Sequence, residues 1–443
     1  MATLSDDAAV RRLTDRFGFG LGGDALARAQ AAGFDATLTA LLRTTGRDAG
    51  AAATPPPDLP HLERPRSPKG EPRDQVAIKE WRRALKKQQG TVQQWWLDRM
   101  TAAEHQGVER MTWFWHGHFA TSVQKVRQPG LMLGQNEAFR RLGLGSFTAL
   151  AQALVVDPAL LVWLDGDDNT AKAPNENLGR EFMELFSLGP GSYTEDDVRA
   201  AAQALTGWTV RRVTGQTEFR PRRHDPAPVT LLGVEDRYDA RSFVDQVLAQ
   251  PASARFVVGR VWARLVSSTP PAPAVTERLV AAYGRARDIR ALLVAVAAEP
   301  AFHDSATSLV KQPVEWLIGL LRALDVRPGA LEPKPARQLS AALRGMGQLP
   351  FRPPSVGGWP AAGGWLTTGG SLARLQAARL VAQGAPAEAL GRVPQRSRVE
   401  HLRRTLGVDR FSTRTSDALT QLVDHPVEAL AIAACSPEYA VSG

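Results

Sequence analysis

Apolar positions recur at helical spacing along most of the chain. Ala9, Leu13 and Phe17 share one face of a first helix over 5–17, with Ser5 as its cap, and a second short helix covers about 24–42. From 74 to 105, Val76, Trp81, Leu85, Trp95 and Trp96 alternate with Arg82, Arg83, Lys86 and Lys87. Tryptophan interleaved with basic residues is one way to bind nucleic acid by stacking, but an amphipathic helix with a wet basic face explains the same pattern more simply. Further helical periods lie at about 240–249, 252–266, 274–286, 288–298, 308–324, 335–346, 371–384, 396–405 and 413–435. Alternation on both sides of Thr214-Gly215-Gln216 predicts a β-hairpin. The fold class is therefore mainly α: an irregular multi-helix array with one small β-hairpin.

The breaks between these periods carry information of their own. Gly18, Gly20, Gly22 and Gly23 end the first helix, and no strand precedes them as a phosphate-binding loop would require. Seven prolines between 55 and 72 make 51–73 a linker, dividing the chain into an N-terminal helical segment (1–50), the linker, and a main helical domain (74–443). Asp157-Pro158 reads as a helix cap followed by proline in the first turn, and the pattern returns at Glu299-Pro300 and Ser436-Pro437. A proline- and glycine-rich loop over 350–370 carries Trp359 and Trp365. Exposed, they would stack on sugar rings; the alternative is ordinary core packing.

Charge and composition narrow the choices. The 443 residues carry a net charge of +9, spread and mixed with acids, so nucleic acid is a permitted but disfavoured partner. A single cysteine, Cys435, excludes an internal disulfide. The first twenty residues carry acids early and no apolar run of signal length, and no stretch is long enough to be a transmembrane segment. The chain as written reads as cytoplasmic; an export signal removed beforehand would leave the same reading.

The densest candidate chemistry lies between Pro174 and Trp208. A helix over 176–188 places Leu178, Phe182, Leu185 and Phe186 on one side and Asn177, Arg180, Glu181 and Glu184 on another, ending at Gly189-Pro190. Pairs four apart (Glu176 with Arg180, Arg180 with Glu184) suit an exposed salt-bridged face. Two carboxylates one turn apart also suit a shared metal or divided acid and base roles, and both readings stand. Thr194 and Asp197 then form a capping box, a structural role. His116 and His118 flank Gly117: extended, they point the same way as metal ligands do; helical, they diverge by about 200°. Asp225 directly after His224 suits a carboxylate that orients an imidazole. Asp165–Asn169 is a solvated acidic loop without the length of a calcium-binding one. No nucleophile elbow, Walker loop or paired CxxC occurs.

The run PNENLGREFMELFSLGPGSYTEDDVRAAAQALTGW, preceded by WFWHGHFATS and followed by FRPRRHD, resembles the bacterial family called domain of unknown function 1800. The opening RLTDRFGFG and the loop PPSVGGWPAAGGWL followed by Arg374 are similar to that family's ends. The resemblance implies a largely helical fold. It places His116, His118, Asn175, Glu176, Asn177, Arg180, Glu181, Glu184, Gly207, Trp208, His224 and Asp225 on motif positions. It also implies an alkaline-phosphatase-like protein encoded nearby as a partner. Ala227 and Val229 stand where the family tends to carry glycine and lysine.

Two functional expectations follow. In the first, His116, His118 and His224 hold a divalent metal or carry protons, Glu181, Glu184 and Asp225 act as acids or bases, and Arg180 and Asn177 hold an anionic substrate: a metal-assisted or acid/base hydrolase. In the second, the protein is a non-catalytic binder or scaffold for an envelope polysaccharide or acidic polymer, with Trp208, Trp359 and Trp365 as contact residues.

Overall fold

Every residue of the helix Gln106–His118 except Val108 is buried. In the computed structural model, which describes residues 3–65, 74–211, 214–360 and 362–443, this helix lies between two hydrophobic cores. Met111, Phe114 and Trp115 belong to the first, together with Leu13, Phe17, Phe147, Phe182, Phe186 and Val261. Trp113 belongs to the second, with Trp96, Trp316, Leu343, Phe351 and Leu430. Among the described residues the strands form only three two-stranded antiparallel sheets, so helices pack on helices throughout and no sheet forms a layer.

Local rules set most element boundaries. Ser5, Asp74, Asp157, Thr194, Asp239 and Asp288 each accept a backbone N–H in the first turn of the helix that follows. Thr194 and Asp197 complete the expected capping box. Pro158, Pro300 and Pro437 occupy first-turn positions, where a missing N–H is harmless. The expected single helix over 413–435 is instead two, Thr413–Thr420 and Pro426–Cys435, because Pro426 cannot continue the preceding turn.

The predicted hairpin is present: Trp208–Val210 pairs with Thr217–Phe219. A second, Val229–Leu231 with Val234–Asp236, was not expected. Its turn residues Leu232 and Gly233 both have positive φ, 49° and 80°, a geometry for which Leu-Gly is an uncommon sequence. A third pair joins Leu309–Val310 to Val441–Ser442, so the helix expected to start near 308 begins at Pro313.

Arginines tie distant parts together through backbone carbonyls. Arg12 donates to the carbonyls of Phe302 (2.6 Å), Asp304 (2.8 Å), Thr307 (2.8 Å) and Gly443 (3.1 Å). Arg16 donates to Leu265, Val266, Thr307 and Ser442. Leu265 and Val266 close the helix Pro251–Leu265, and a guanidinium there satisfies carbonyls that have no partner within the helix. Residues 1–50 thus supply Leu13, Phe17, Leu38 and Leu42 to the first core as well as these ties. In the described part of the proline-rich stretch, the Leu62 carbonyl accepts from Trp81 (3.0 Å) and Gln128 (2.8 Å).

Asp157 shows a cap under strain from burial. Its Oδ1 accepts from the Leu160 N–H (3.0 Å) and from Gln135 Nε2 (2.8 Å), yet burial pushes the carboxyl up to about 7. A carboxyl raised above its unfolded value makes the native state lose stability as pH climbs between the two values. Asp157→Asn keeps the accepting oxygen and removes the charge. Its melting temperature is expected to gain on wild type between about pH 4 and about pH 8; a gap that stays constant across that range would contradict the assignment.

Candidate functional site

The two histidines of the central helix leave it in different directions. His116 Nε2 accepts the N–H of Phe351 (3.0 Å), and its ring is enclosed by Trp96, Phe351 and Trp359. His118 Nε2 donates to the Phe186 carbonyl (2.9 Å). That carbonyl would bond the N–H four residues on, but Pro190 has none. The expected helix over 176–188 is α-helical only at Asn177–Glu181 and widens to a π-helix at Phe182–Ser187, where the Leu188 N–H reaches Met183 (2.8 Å). Burial drives both imidazoles down to about 3, and Arg260 and Arg264 add to this at His118, so both rings are neutral.

The polar side of the 177–187 segment is organised around exposed ion pairs. Arg180 binds Glu195 (2.7 and 2.8 Å) and Glu176 (3.0 Å), and these bonds, the Glu195 one first, hold its guanidinium more firmly protonated than usual. Glu184 pairs not with Arg180 but with the Tyr193 hydroxyl (2.6 Å). Partial burial, then Glu184, raises the Glu181 carboxyl. The Asn177 N–H bonds Asn175 Oδ1 (3.0 Å). His224 Nδ1 sits 3.0 Å from Thr206 Oγ1, and Thr206 also accepts the Asp225 N–H (2.9 Å). Trp208, half-buried, lies 5.2 Å from the Phe219 ring.

The contacts these residues make lead to different partners. The rings of His116, His118 and His224 meet Phe351, Phe186 and Thr206 respectively. Among the described residues no three His, Cys, Asp or Glu are grouped to hold a metal. Trp359 and Trp365 are not exposed: they retain 6% and 3% of their surface, Trp359 stacking on Trp113 at 5.1 Å.

What the fold does bring together is a cationic cleft beside the central helix. Arg16, Arg110, Arg264 and Lys311 line it with Asp15, Gln312, Glu315 and Trp365, around a cavity of about 30 Å³. An adjoining cavity of about 10 Å³ shares Arg110, Arg264, Gln312 and Glu315 and is walled by Trp113, Gly117 and Trp359. Four cations face two carboxylates there. Arg110 lies 2.5 Å from Glu315 and donates to the Arg16 carbonyl (3.0 Å). Lys311 lies 3.0 Å from Asp15. Arg16 is consumed by backbone carbonyls, as described above.

Arg264, half-buried, makes no hydrogen bond or ion pair among the described residues. Burial lowers its guanidinium to about 10, still charged at neutral pH. The indole N–H groups of Trp359 and Trp365 are buried without acceptors. An arrangement of donors and cations with a surplus of positive charge takes an anion. Sequence reasoning missed this cleft. Its trace is the charge inside apolar runs: Arg264 in VVGRVWARLV, and Lys311 and Glu315 just ahead of WLIGLL.

Because the unfolded chain takes up protons at its histidines below about pH 6.5 and the folded chain does not at His116 and His118, native stability is lost as pH falls through that range. His118→Phe is expected to cost about 1–3 kcal/mol at neutral pH, since it orphans the Phe186 carbonyl. It is also expected to flatten the acid side of a stability–pH curve measured by urea unfolding. An unchanged acid limb would refute the assignment.

No curated protein and no solved structure matches the chain. The family described as protein of unknown function (DUF1800) matches residues 12–441, which include Arg16, the Gln106–His118 helix, the π-helical segment, Arg264 and the Lys311–Glu315 turn. The chain belongs to the DUF1800 family.

Proposed function

We propose that the protein binds a small anion in the cleft formed by Arg110, Arg264 and Lys311. The observation that carries this reading is Arg264: a charged, half-buried guanidinium that feels the Glu315 carboxylate but makes no hydrogen bond or ion pair among the described residues. Leaving such a group unpaired is costly, and natural structures resolve the cost with a partner. The other cations of the cleft already have theirs, Glu315 for Arg110 and Asp15 for Lys311. An incoming anion at Arg264 would displace no existing ion pair, and each cavity has one unpaired indole in its wall, Trp359 in the smaller and Trp365 in the larger. A single water needs about 10–15 Å³ of space, so cavities of about 30 and 10 Å³ are on the scale of one small ion.

The hydrolytic reading drew its support from histidines and glutamates meeting at one point, and the polymer reading from exposed indoles. The anion reading needs neither. It gives Arg264 the anion-holding role expected of Arg180.

Native protein is expected to melt at a higher temperature in sulfate or phosphate than in chloride at equal ionic strength. At about a hundred times Kd a bound ligand adds about 2.7 kcal/mol to native stability. Arg264→Gln is expected to lose at least about tenfold in affinity, the value of one charge-assisted pair. Calorimetric titration in which the variant binds as well as wild type would refute the proposal.

A further inference from the structure

A cavity of about 300 Å³ lies between the helices Asp6–Phe17, Gly23–Ala32 and Phe34–Leu41, the start of the central helix and the end of the Pro313–Ala323 helix. It shares no lining residue with the anion cleft. Its volume is at the small end of the range for small-molecule sites, about 300–1,000 Å³. Phe19, Leu21, Leu41, Ala32, Ala36 and Ala40 form its apolar wall, and the charged residues that line it are Arg28, Arg43, Glu104 and Arg322.

Two residues of this lining carry a buried polar atom with nothing to bond. Gln106 is 4% exposed. Its Nε2 donates to the carbonyls of Met100 (3.2 Å) and Ala103, which settles the orientation of the amide, since only its nitrogen can serve two carbonyls. Oε1 is left a buried acceptor without a donor. Arg322 Nη1 donates to Thr101 (2.6 Å) and to the same Ala103 carbonyl (3.3 Å), and its Nε is left a buried donor without an acceptor. The shared carbonyl holds the amide and the guanidinium side by side, yet the free oxygen and the free N–H do not bond each other. A group that meets both presents a donor and an acceptor close together.

The charges extend the same pattern. Glu104, two residues before Gln106, adds a second acceptor, and Arg28 and Arg43 add to the cations. An ammonium offers N–H groups to Glu104 and Gln106, and a carboxylate takes the N–H of Arg322. Water would serve the two inner atoms, but covering the apolar wall takes carbon. An ammonium and a carboxylate on one carbon, with an apolar group beside them, make an apolar α-amino acid.

We propose that this cavity binds a free α-amino acid with an apolar side chain, its ammonium on Glu104 and Gln106 Oε1, its carboxylate on Arg322 Nε, and its side chain against Leu41, Ala36 and Ala40.

The test is calorimetric titration of the full chain at neutral pH with L-leucine, N-acetyl-leucine, leucinamide and glycine. L-leucine is expected to bind at least about tenfold tighter than each of the other three, which lack in turn the ammonium, the carboxylate and the side chain. N-acetyl-leucine matching leucine would overturn the role of Glu104 and Gln106, leucinamide matching it that of Arg322, and glycine matching it that of the apolar wall. No binding of leucine would overturn the site altogether and leave the anion reading untouched. Ala36→Trp fills the cavity from an exposed position and removes no side-chain hydrogen bond. It is expected to weaken leucine at least about tenfold and to keep the wild-type melting temperature. A folded variant that binds leucine as tightly as wild type would put the ligand elsewhere and refute the proposal. The ranking of the four ligands is measured on wild type and holds whether or not the variant folds.

Discussion

A helix buried on all sides has to find its polar partners inside the protein, and four charged or imidazole side chains of the Gln106–His118 helix do so in four directions. Glu109 is met by Arg140 (2.6 and 3.0 Å), Arg99 (3.2 Å) and Trp96 (3.3 Å). Burial pushes its carboxyl up, but the two arginines outweigh this and hold it below its usual range. Arg110 turns to Glu315, His116 to the Phe351 N–H and His118 to the Phe186 carbonyl. Each bond positions a different neighbour: the long Gln75–Ala102 helix, the start of the Pro313–Ala323 helix, the tryptophan loop and the π-helical turn. The two cores are registered against each other through this one element. Breaking any of the four leaves an unsatisfied group with no water at hand.

The same accounting separates structural charge from functional charge. Arg12, Arg16 and Arg322 look exceptional as buried cations, yet each is satisfied by carbonyls near chain turns and helix ends, Arg322 by those of Thr101 (2.6 Å) and Ala103. Arg140 and Arg110 have carboxylates. Once those are removed from consideration, Arg374, over the Trp316 ring, and Arg260 and Arg264, on one helix beside the Gly117-His118 end of the central helix, remain without hydrogen bonds or ion pairs among the described residues. Burial alone would not have singled them out; the absence of partners did.

The mainly helical array, the caps at Ser5, Asp157 and Thr194, the first-turn prolines and the hairpin at 208–219 were all legible, because each depends on local chemistry within a few residues. The split at Pro426 was legible in principle and was overridden by a continuous apolar period on both sides. The turn at Leu232-Gly233 carries no strong turn dipeptide. The cleft was illegible for another reason. A lone arginine in an amphipathic helix reads as a wet face, and only the long-range packing of the Pro251–Leu265 helix against Gly117 and His118 turns it inward. Conversely, the Arg180, Glu181 and Glu184 stripe was conspicuous in sequence because it is dense, while in the fold its arginine and Glu176 face solvent and each other.

The carbonyl ties of Arg12 and Arg16 reach partners 249 to 431 residues further along the chain. Contacts of such separation form late, because closing the intervening loop must come first. Until those partners arrive, the Asp6–Phe17 helix can pack only on its sequence neighbours, through Leu13 and Phe17 against Leu38 and Leu42, with its two guanidinium groups still unmet. Its guanidinium ties therefore make the end of the chain a condition for fixing its beginning in place.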